Sequence, residues 1–301
     1  MIRPPYLQKG DTVAIVSPAK KILPREIEYA IKFLESNGLK IKLGEHVFGE
    51  WNRFSGTDEE RTADFQWALN DQNIKAIFCA RGGYGSVRII DQLDFTQFTA
   101  TPKWIIGYSD ITVFHNHINT QLNIATIHGP MPLNIIDQPN ELKSANGLIE
   151  ILYGRNLSTK FQHHKMNVSG QASGALIGGN LSVLCGLIGT NSDIDTENRI
   201  LFIEDLCEEN YKLDRMLFQL EKSGKLSKLN GAIIGSFTQM TDLSQWFQED
   251  SYNLIANRFK SLNIPVAFNF PAGHISLNTP LVLGQKYWLK VSEKESLLKP
   301  A

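Results

Sequence analysis

Ser109 lies in the run Ile105-Ile106-Gly107-Tyr108-Ser109-Asp110-Ile111-Thr112. An apolar strand ends in glycine, serine follows, and a helical pattern begins with Val113, Phe114 and Ile118. A sharp strand-to-helix turn lifts a serine hydroxyl clear of a sheet and aims the next amide, that of Asp110, at the same spot. A helix N-terminus there favours negative charge. An acyl-transfer nucleophile needs both, because its tetrahedral intermediate carries an oxyanion beside it. The pattern is partial: the usual hydrolase elbow has glycine two residues after the serine, where Ile111 stands here. The same residues also read as a serine and an aspartate capping a helix.

Two further side chains could complete such a site. Glu204 ends the apolar run Leu201-Phe202-Ile203, where backbone amides can hold a carboxylate and aim it at an imidazole. By itself, Glu204-Asp205 reads as a cap for the next segment. His274 follows Phe270-Pro271-Ala272-Gly273 in a rigid turn, and alone it reads as a loop residue. His115 and His117 fall on a helix at i and i+2, where they face apart and make a poor metal pair. His163 and His164 lie in a polar stretch, and no HExxH or zinc-spaced cysteine is present. His128 ends a strand at the edge of the expected site and is a candidate pocket residue. Arg81-Gly82-Gly83-Tyr84-Gly85 joins a strand to a helix without the lysine of a P-loop or the spacing of a dinucleotide fingerprint. Its glycines let main-chain N–H groups approach an oxyanion or carboxylate, although a plain tight turn reads as well.

The elements that must position these residues alternate in the first half of the chain. Strands are expected at Asp11 to Ser17, Lys40 to Val47, Ile74 to Cys79, Trp104 to Ile106 and Ile124 to Ile127. Helices are expected between them, one opened by Pro24 and one by a Thr57/Glu60 capping box. Continuous apolar strands alternating with helices mean a parallel sheet covered on both faces, with its site at the carboxyl ends of the strands. The expected division is an N-terminal domain over 1–132, a connection over 133–167 and a smaller, mainly β-containing α/β domain over 168–301.

The 301 residues are 42% apolar and 20% charged, a globular composition long enough for two domains. Thirty Lys and Arg against 31 Asp and Glu offer no basic excess to a phosphate backbone, so a small molecule is expected rather than nucleic acid. Cys79, Cys185 and Cys207 form no disulfide framework, which fits a reducing, cytoplasmic setting. No signal peptide is expected, and no run reaches the roughly 18 to 20 apolar residues of a membrane span.

Taken in order, Arg81-Gly82-Gly83-Tyr84-Gly85, Gly107-Tyr108-Ser109-Asp110-Ile111-Thr112, His128-Gly129-Pro130, Gly178-Gly179-Asn180-Leu181, Phe202-Ile203-Glu204-Asp205 and Gly273-His274 resemble the LD-carboxypeptidases, also called muramoyl-tetrapeptide carboxypeptidases. The resemblance spans the chain from Ser17 to Gly284 and implies a flavodoxin-like N-terminal domain. It also implies a serine nucleophile at Ser109, an acid at Glu204 and a histidine base at His274, with the site between the domains. Amides of Asp110 and of the Gly82-Gly83 turn would hold the oxyanion. Arg81, Tyr84 and His128 are candidates for binding substrate. The implied reaction removes the terminal D-alanine of a cytosolic murein tetrapeptide in cell-wall recycling. Neither metal nor organic cofactor, nucleic acid nor membrane is implied, and a homodimer is one assembly left open.

Three rivals remain at this stage. The related microcin C self-immunity peptidases cut aminoacyl-nucleotide conjugates and are longer; Trp51 or Trp246 could stack on a nucleotide. A non-catalytic two-domain binding protein would clamp a small ligand in the cleft. A nucleotide-dependent enzyme would use the glycine-rich turn, against the missing lysine.

Overall fold

The computed structural model describes residues 1–242 and 249–301. Its first half alternates β1 (Thr12–Val16), α1 (Glu28–Ser36), β2 (Lys40–Leu43), α2 (Asp58–Asn70), β3 (Ile74–Cys79), α3 (Ser86–Ile89), α4 (Thr96–Ala100), β4 (Trp104–Gly107), α5 (Thr112–His117) and β5 (Thr126–His128). The five strands pair in parallel in the order β2-β1-β3-β4-β5, the flavodoxin-like order that the family resemblance implies. Strands β1, β3 and β4 are almost wholly buried because helices cover both faces.

The chain continues through α6 (Pro139–Leu152), β6 (Thr159–Gln162), β7 (Gly170–Asn180), α7 (Leu181–Leu187), β8 (Ile200–Leu206), α8 (Asn210–Lys222), β9 (Gly231–Thr238), α9 (Ser251–Phe259), β10 (Val266–Ala267), β11 (Leu281–Leu283), β12 (Lys286–Val291) and β13 (Glu295–Pro300). The second sheet has the order β10-β9-β8-β7-β12-β13-β6. Its parallel half, β7 to β10, is packed on α7, α8 and α9 through Ile203, Leu213, Leu217 and Ile255. Its antiparallel half alternates, with Tyr287, Leu289 and Val291 inside and Lys286, Trp288 and Lys290 outside. Strand β11 leaves this part of the chain and pairs antiparallel with β5, setting Leu281 opposite His128. No helix among the described residues is long and apolar enough to cross a membrane.

Some expected elements are shorter than the sequence suggested. The strand expected to reach Val47 stops at Leu43. There the chain turns, and Asp64 accepts the His46 amide at 2.9 Å while Ser17 and Ser55 donate to the Val47 carbonyl. Helix α3 gives way to a 3-10 turn at Ile90–Gln92. The capping box is formed: Glu60 N donates to Thr57 Oγ1 at 3.2 Å, and Thr57 N to Glu60 Oε2 at 2.8 Å.

Helix α2 also holds the glycine-rich turn in place. The fully buried Arg61 side chain donates to the Pro18 carbonyl, to the Gly85 carbonyl at 3.1 Å and to Asp58. Arg61→Met removes the side-chain donor to the Pro18 and Gly85 carbonyls, while Asp58 keeps its ion pair with Arg88 and Gly85 O keeps the Arg88 amide. It should lower unfolding free energy by about 1.5–3 kcal/mol, the scale of lost hydrogen bonds from a charged donor, against about 1 kcal/mol for Thr57→Ala at the cap. Urea titration of both variants measures this, and equal losses would mean that Arg61 is not the tether.

Candidate active site

Strand β4 ends at Gly107, and Ser109 opens a 3-10 turn, Ser109–Ile111, that leads into α5. Ser109 has φ 63°, a left-handed conformation that costs a non-glycine residue energy and persists only where its surroundings enforce it. Ile111 explains the departure from the usual elbow: its side chain fills the space over Gly107, where a Cβ would lie 2.8 Å from it. The glycine-rich turn closes the other side. A Cβ on Gly82 would lie 3.0 Å from Ser109 Cβ and 3.3 Å from its Oγ, so only glycine brings that backbone onto the serine. Asp110 locks the two turns together, its buried Oδ2 accepting the Ser86 amide at 2.8 Å. Burial raises its carboxyl above the ordinary value, against the lowering effect of the Ser86 and Gly85 donors and Arg61. The Asp110 N–H sits in the first turn of the helical segment, where amides lack an intrahelical acceptor.

Glu204 stands near the end of β8, fully buried. His274 Nδ1 lies 2.7 Å from Glu204 Oε2, and the other carboxylate oxygen has no partner among the described residues. The His274 side chain is 15% exposed, so its ring reaches the cleft. Its turn is pinned from below: Gly273 N donates to Asn278 Oδ1 at 2.9 Å, and Asn278 N donates to Ser144 Oγ of α6 at 2.9 Å. Among the described residues no hydrogen bond joins Ser109 to His274. Their nearness shows through Tyr108, whose ring centroid is 4.8 Å from that of His274.

Tyr108 begins an aromatic layer between the sheets. Its ring lies 5.7 Å from His128, and His128 lies 4.9 Å from Phe202, two residues before Glu204 and therefore on the same face of β8. His128 is fully buried, and among the described residues neither ring nitrogen has a partner in hydrogen-bonding geometry. Burial, then His115 and His274, pushes it well below the ordinary histidine value, which keeps it neutral. Burial, then the Glu204 charge, raises the Tyr108 phenol.

The other expected residues are more dispersed. Arg81 donates to the Lys21 carbonyl at 3.4 Å and lies 4.0 Å from Glu26, at the rim of the glycine-rich turn. Tyr84 is exposed beside Phe54. It borders, with Gly83, Val87, Asp110, Val183 and Leu187, an open cavity of ≈ 300 Å³. A larger cleft of ≈ 710 Å³ opens on the other side, from Tyr108 and His274 to Asn140, Glu141 and Ser144. Trp51 stacks on Phe54, and Trp246 lies outside the described residues. His115 bonds the Gly107 carbonyl and His117 the Ser192 hydroxyl, so the pair faces apart.

Sequence reasoning passed over the residues that brace the site. Asp205, taken only as part of a cap, accepts from Asn180 Nδ2 at 2.9 Å, Ser182 N at 2.9 Å and Leu206 N at 2.8 Å. Asn180 N donates to Thr112 Oγ1 at 3.1 Å and ties β7 to α5. The signal was present in the Gly-Gly-Asn run before an apolar helix, an N-cap pattern. Asn278 and Ser144 carried none, because their roles arise only where distant segments meet.

The chain is similar to known proteins over most of its length. Residues 13–129 match the N-terminal domain of LD-carboxypeptidases, and residues 173–289 the C-terminal domain. A probable murein peptide carboxypeptidase of Bacillus subtilis (strain 168) is 34% identical, covering 99% of this chain and 94% of its own. The crystal structure of muramoyltetrapeptide carboxypeptidase from Oxalobacter formigenes superposes with TM-score 0.87 at 27% identity, covering 96% of this chain and 98% of its own. The microcin C7 self-immunity protein in complex with aspartyl sulfamoyl adenosine superposes with TM-score 0.89 at 23% identity, over 100% of this chain and 99% of its own, a likeness of fold.

Asp205 gives the site a measurable pH signature. Burial, then the neighbouring Glu204 charge, raises its carboxyl to about 6, against about 3.9 in an unfolded chain. The folded state therefore holds this proton more tightly. Its contribution to stability is greatest below about pH 4 and falls as pH rises to about 6. Asp205→Asn should flatten the decline in urea midpoint between pH 4 and pH 6.5. A variant with the wild-type slope would put that proton elsewhere.

Proposed function

This chain belongs to the LD-carboxypeptidase family, and on that premise we propose that it removes the terminal D-alanine of a murein tetrapeptide, with Ser109, His274 and Glu204 as its catalytic triad. It is a carboxypeptidase of a serine-peptidase family. The observation that carries the residue assignment is the 2.7 Å hydrogen bond between His274 and a fully buried Glu204, beside a serine held at positive φ.

The chemistry follows from the arrangement. Glu204 keeps the proton on His274 Nδ1, which leaves the Nε2 lone pair as the base. Nε2 takes the Ser109 proton as Oγ attacks the carbonyl carbon of the bond to the terminal residue. The amide of Asp110 and an amide of the Gly82-Gly83 turn hold the oxyanion. The imidazolium then gives its proton to the departing amine, and the C–N bond breaks. Water, deprotonated by the same Nε2, attacks the acyl-serine, and Ser109 recovers its proton. The Ser109–His274 contact closes when substrate binds, as catalytic hydrogen bonds often do. The ≈ 300 Å³ cavity beside Gly83 and Asp110 takes the small leaving residue, with Arg81 swinging from its long contact with Glu26 to the free carboxylate. His128 stays neutral and packs the ring of Tyr108 against that of His274.

Ser109→Ala should fold and lose turnover by on the order of 10⁶-fold. His274→Ala should fall about as far, and Glu204→Gln roughly a hundredfold less, because the acid orients the base without moving the proton. Mass-spectrometric assay of alanine release from a murein tetrapeptide ranks the three. Wild-type rates in folded Glu204→Gln would remove Glu204 from the site.

A free C-terminal carboxylate should be required. Amidating it should cost roughly 1.5 to 3 kcal/mol in kcat/KM, the scale of a lost charge-assisted hydrogen bond. Arg81→Ala should erase most of the difference between acid and amide. Full discrimination in that variant would move the anchor to another residue.

A further inference from the structure

The ≈ 710 Å³ cleft at His274 does not end at Ser144. A second open depression of ≈ 530 Å³ shares Ser144 and Leu277 with it and runs on past Asn146, Gly147 and Glu150 to Pro280. Helix α6 supplies one wall. Asn140, Lys143, Ser144, Gly147 and Glu150 fall on one stripe of it at spacings of three and four. The turn carrying His274, continued to Leu277 and Pro280, supplies the other wall. We infer that this groove along α6 binds the part of the substrate N-terminal to the scissile bond, so that the enzyme reads several residues of the acyl chain rather than the two that flank the bond; this rests on the function proposed above.

Size and direction support the assignment. A carboxypeptidase releases one residue, and either depression is of a size that holds a far larger ligand, within the range of about 300–1,000 Å³. The leaving residue has its own smaller cavity beside Gly83 and Asp110, which shares no lining residue with the groove. From Asn140 to Glu150 the helix rises about 15 Å at about 1.5 Å per residue. An extended peptide, at about 3.3 Å per residue, covers that length with four to five residues.

The chemistry of the walls suits a peptide. The amide side chains of Asn140 and Asn146 offer donors and acceptors to a peptide backbone. Leu277, Leu157 and Pro280 give an apolar floor. Among the described residues Glu141 and Lys143 make no ion pair, so each can meet a charged group of the occupant. Gly147 leaves room: a Cβ there meets Pro280 at 3.5 Å and Leu157 at 3.6 Å, ordinary contacts, so a longer side chain grows into the groove.

The test uses N-acetylated peptides of two to five residues that share the same last two residues and end in D-alanine. For the wild type, kcat/KM should rise roughly tenfold or more from the dipeptide to the tetrapeptide, because remote binding energy is spent at the reacting bond. Asn146→Trp and Gly147→Leu should each lose at least about tenfold more on the tetrapeptide than on the dipeptide. Calorimetry on Ser109→Ala, alone and combined with Asn146→Trp, reads the same preference as affinity without turnover. Equal kcat/KM across the series, or variants that slow both peptides alike, would overturn the groove while leaving the reaction intact. Length-dependent binding to Ser109→Ala, weakened by Asn146→Trp, together with no hydrolysis by the wild type, would uphold the groove and sink the reaction.

Discussion

A carboxylate taken wholly out of water costs several kcal/mol unless something compensates it. Among the described residues Glu204 has its compensation in one place, the His274 ring at 2.7 Å. That pairing makes strict demands on the fold. The turn at Gly273 must return over the end of β8, and Asn278 and Ser144 must hold it there. The pairing of β8 with β9 shifts register between Ile203 and Asp205, beside Glu204. Glu204 and Asp205 then serve opposite faces of the strand, one toward the histidine and the other toward the start of α7.

The serine comes from the other sheet, so the site depends on how the two halves are joined. Three connections do this with different physics. Thr112 accepts the Asn180 amide, a buried hydrogen bond whose loss would leave a donor unsatisfied. Tyr108, His128, Phe202 and His274 form a layer of rings whose packing fixes distance and angle without charge. Strand β11 adds residues from late in the chain to the edge of the first sheet. These contacts set Ser109 and His274, the proposed nucleophile and base, near each other.

The surroundings of Ser109 are asymmetric, and this gives the site a direction. On one side the glycine-rich turn and Asp110 border a small cavity; on the other, α6 and the His274 turn border a long open groove. The small cavity and the His274 end of the groove lie at the carboxyl ends of the first sheet's parallel strands, where side chains from several loops converge.

Much of this was legible from residue order. The alternation of apolar runs with helical spacing gave the parallel sheet, because strands covered on both faces must be apolar throughout. The Thr57/Glu60 box and the Gly-Tyr-Ser-Asp turn are local devices whose geometry follows from neighbouring residues, so the sequence determined them. Glu204 and His274 were found through family resemblance, since alone each reads as a cap or loop residue. Tertiary structure decided that they meet across 70 positions of sequence, that Arg61 tethers the Gly85 turn, that Asp205 braces α7, and that Asn278 rests on Ser144. It also decided that Arg81 lies at the rim beside Glu26. Such contacts depend on where separate segments come to lie together, and no spacing along the chain encodes a distance through space.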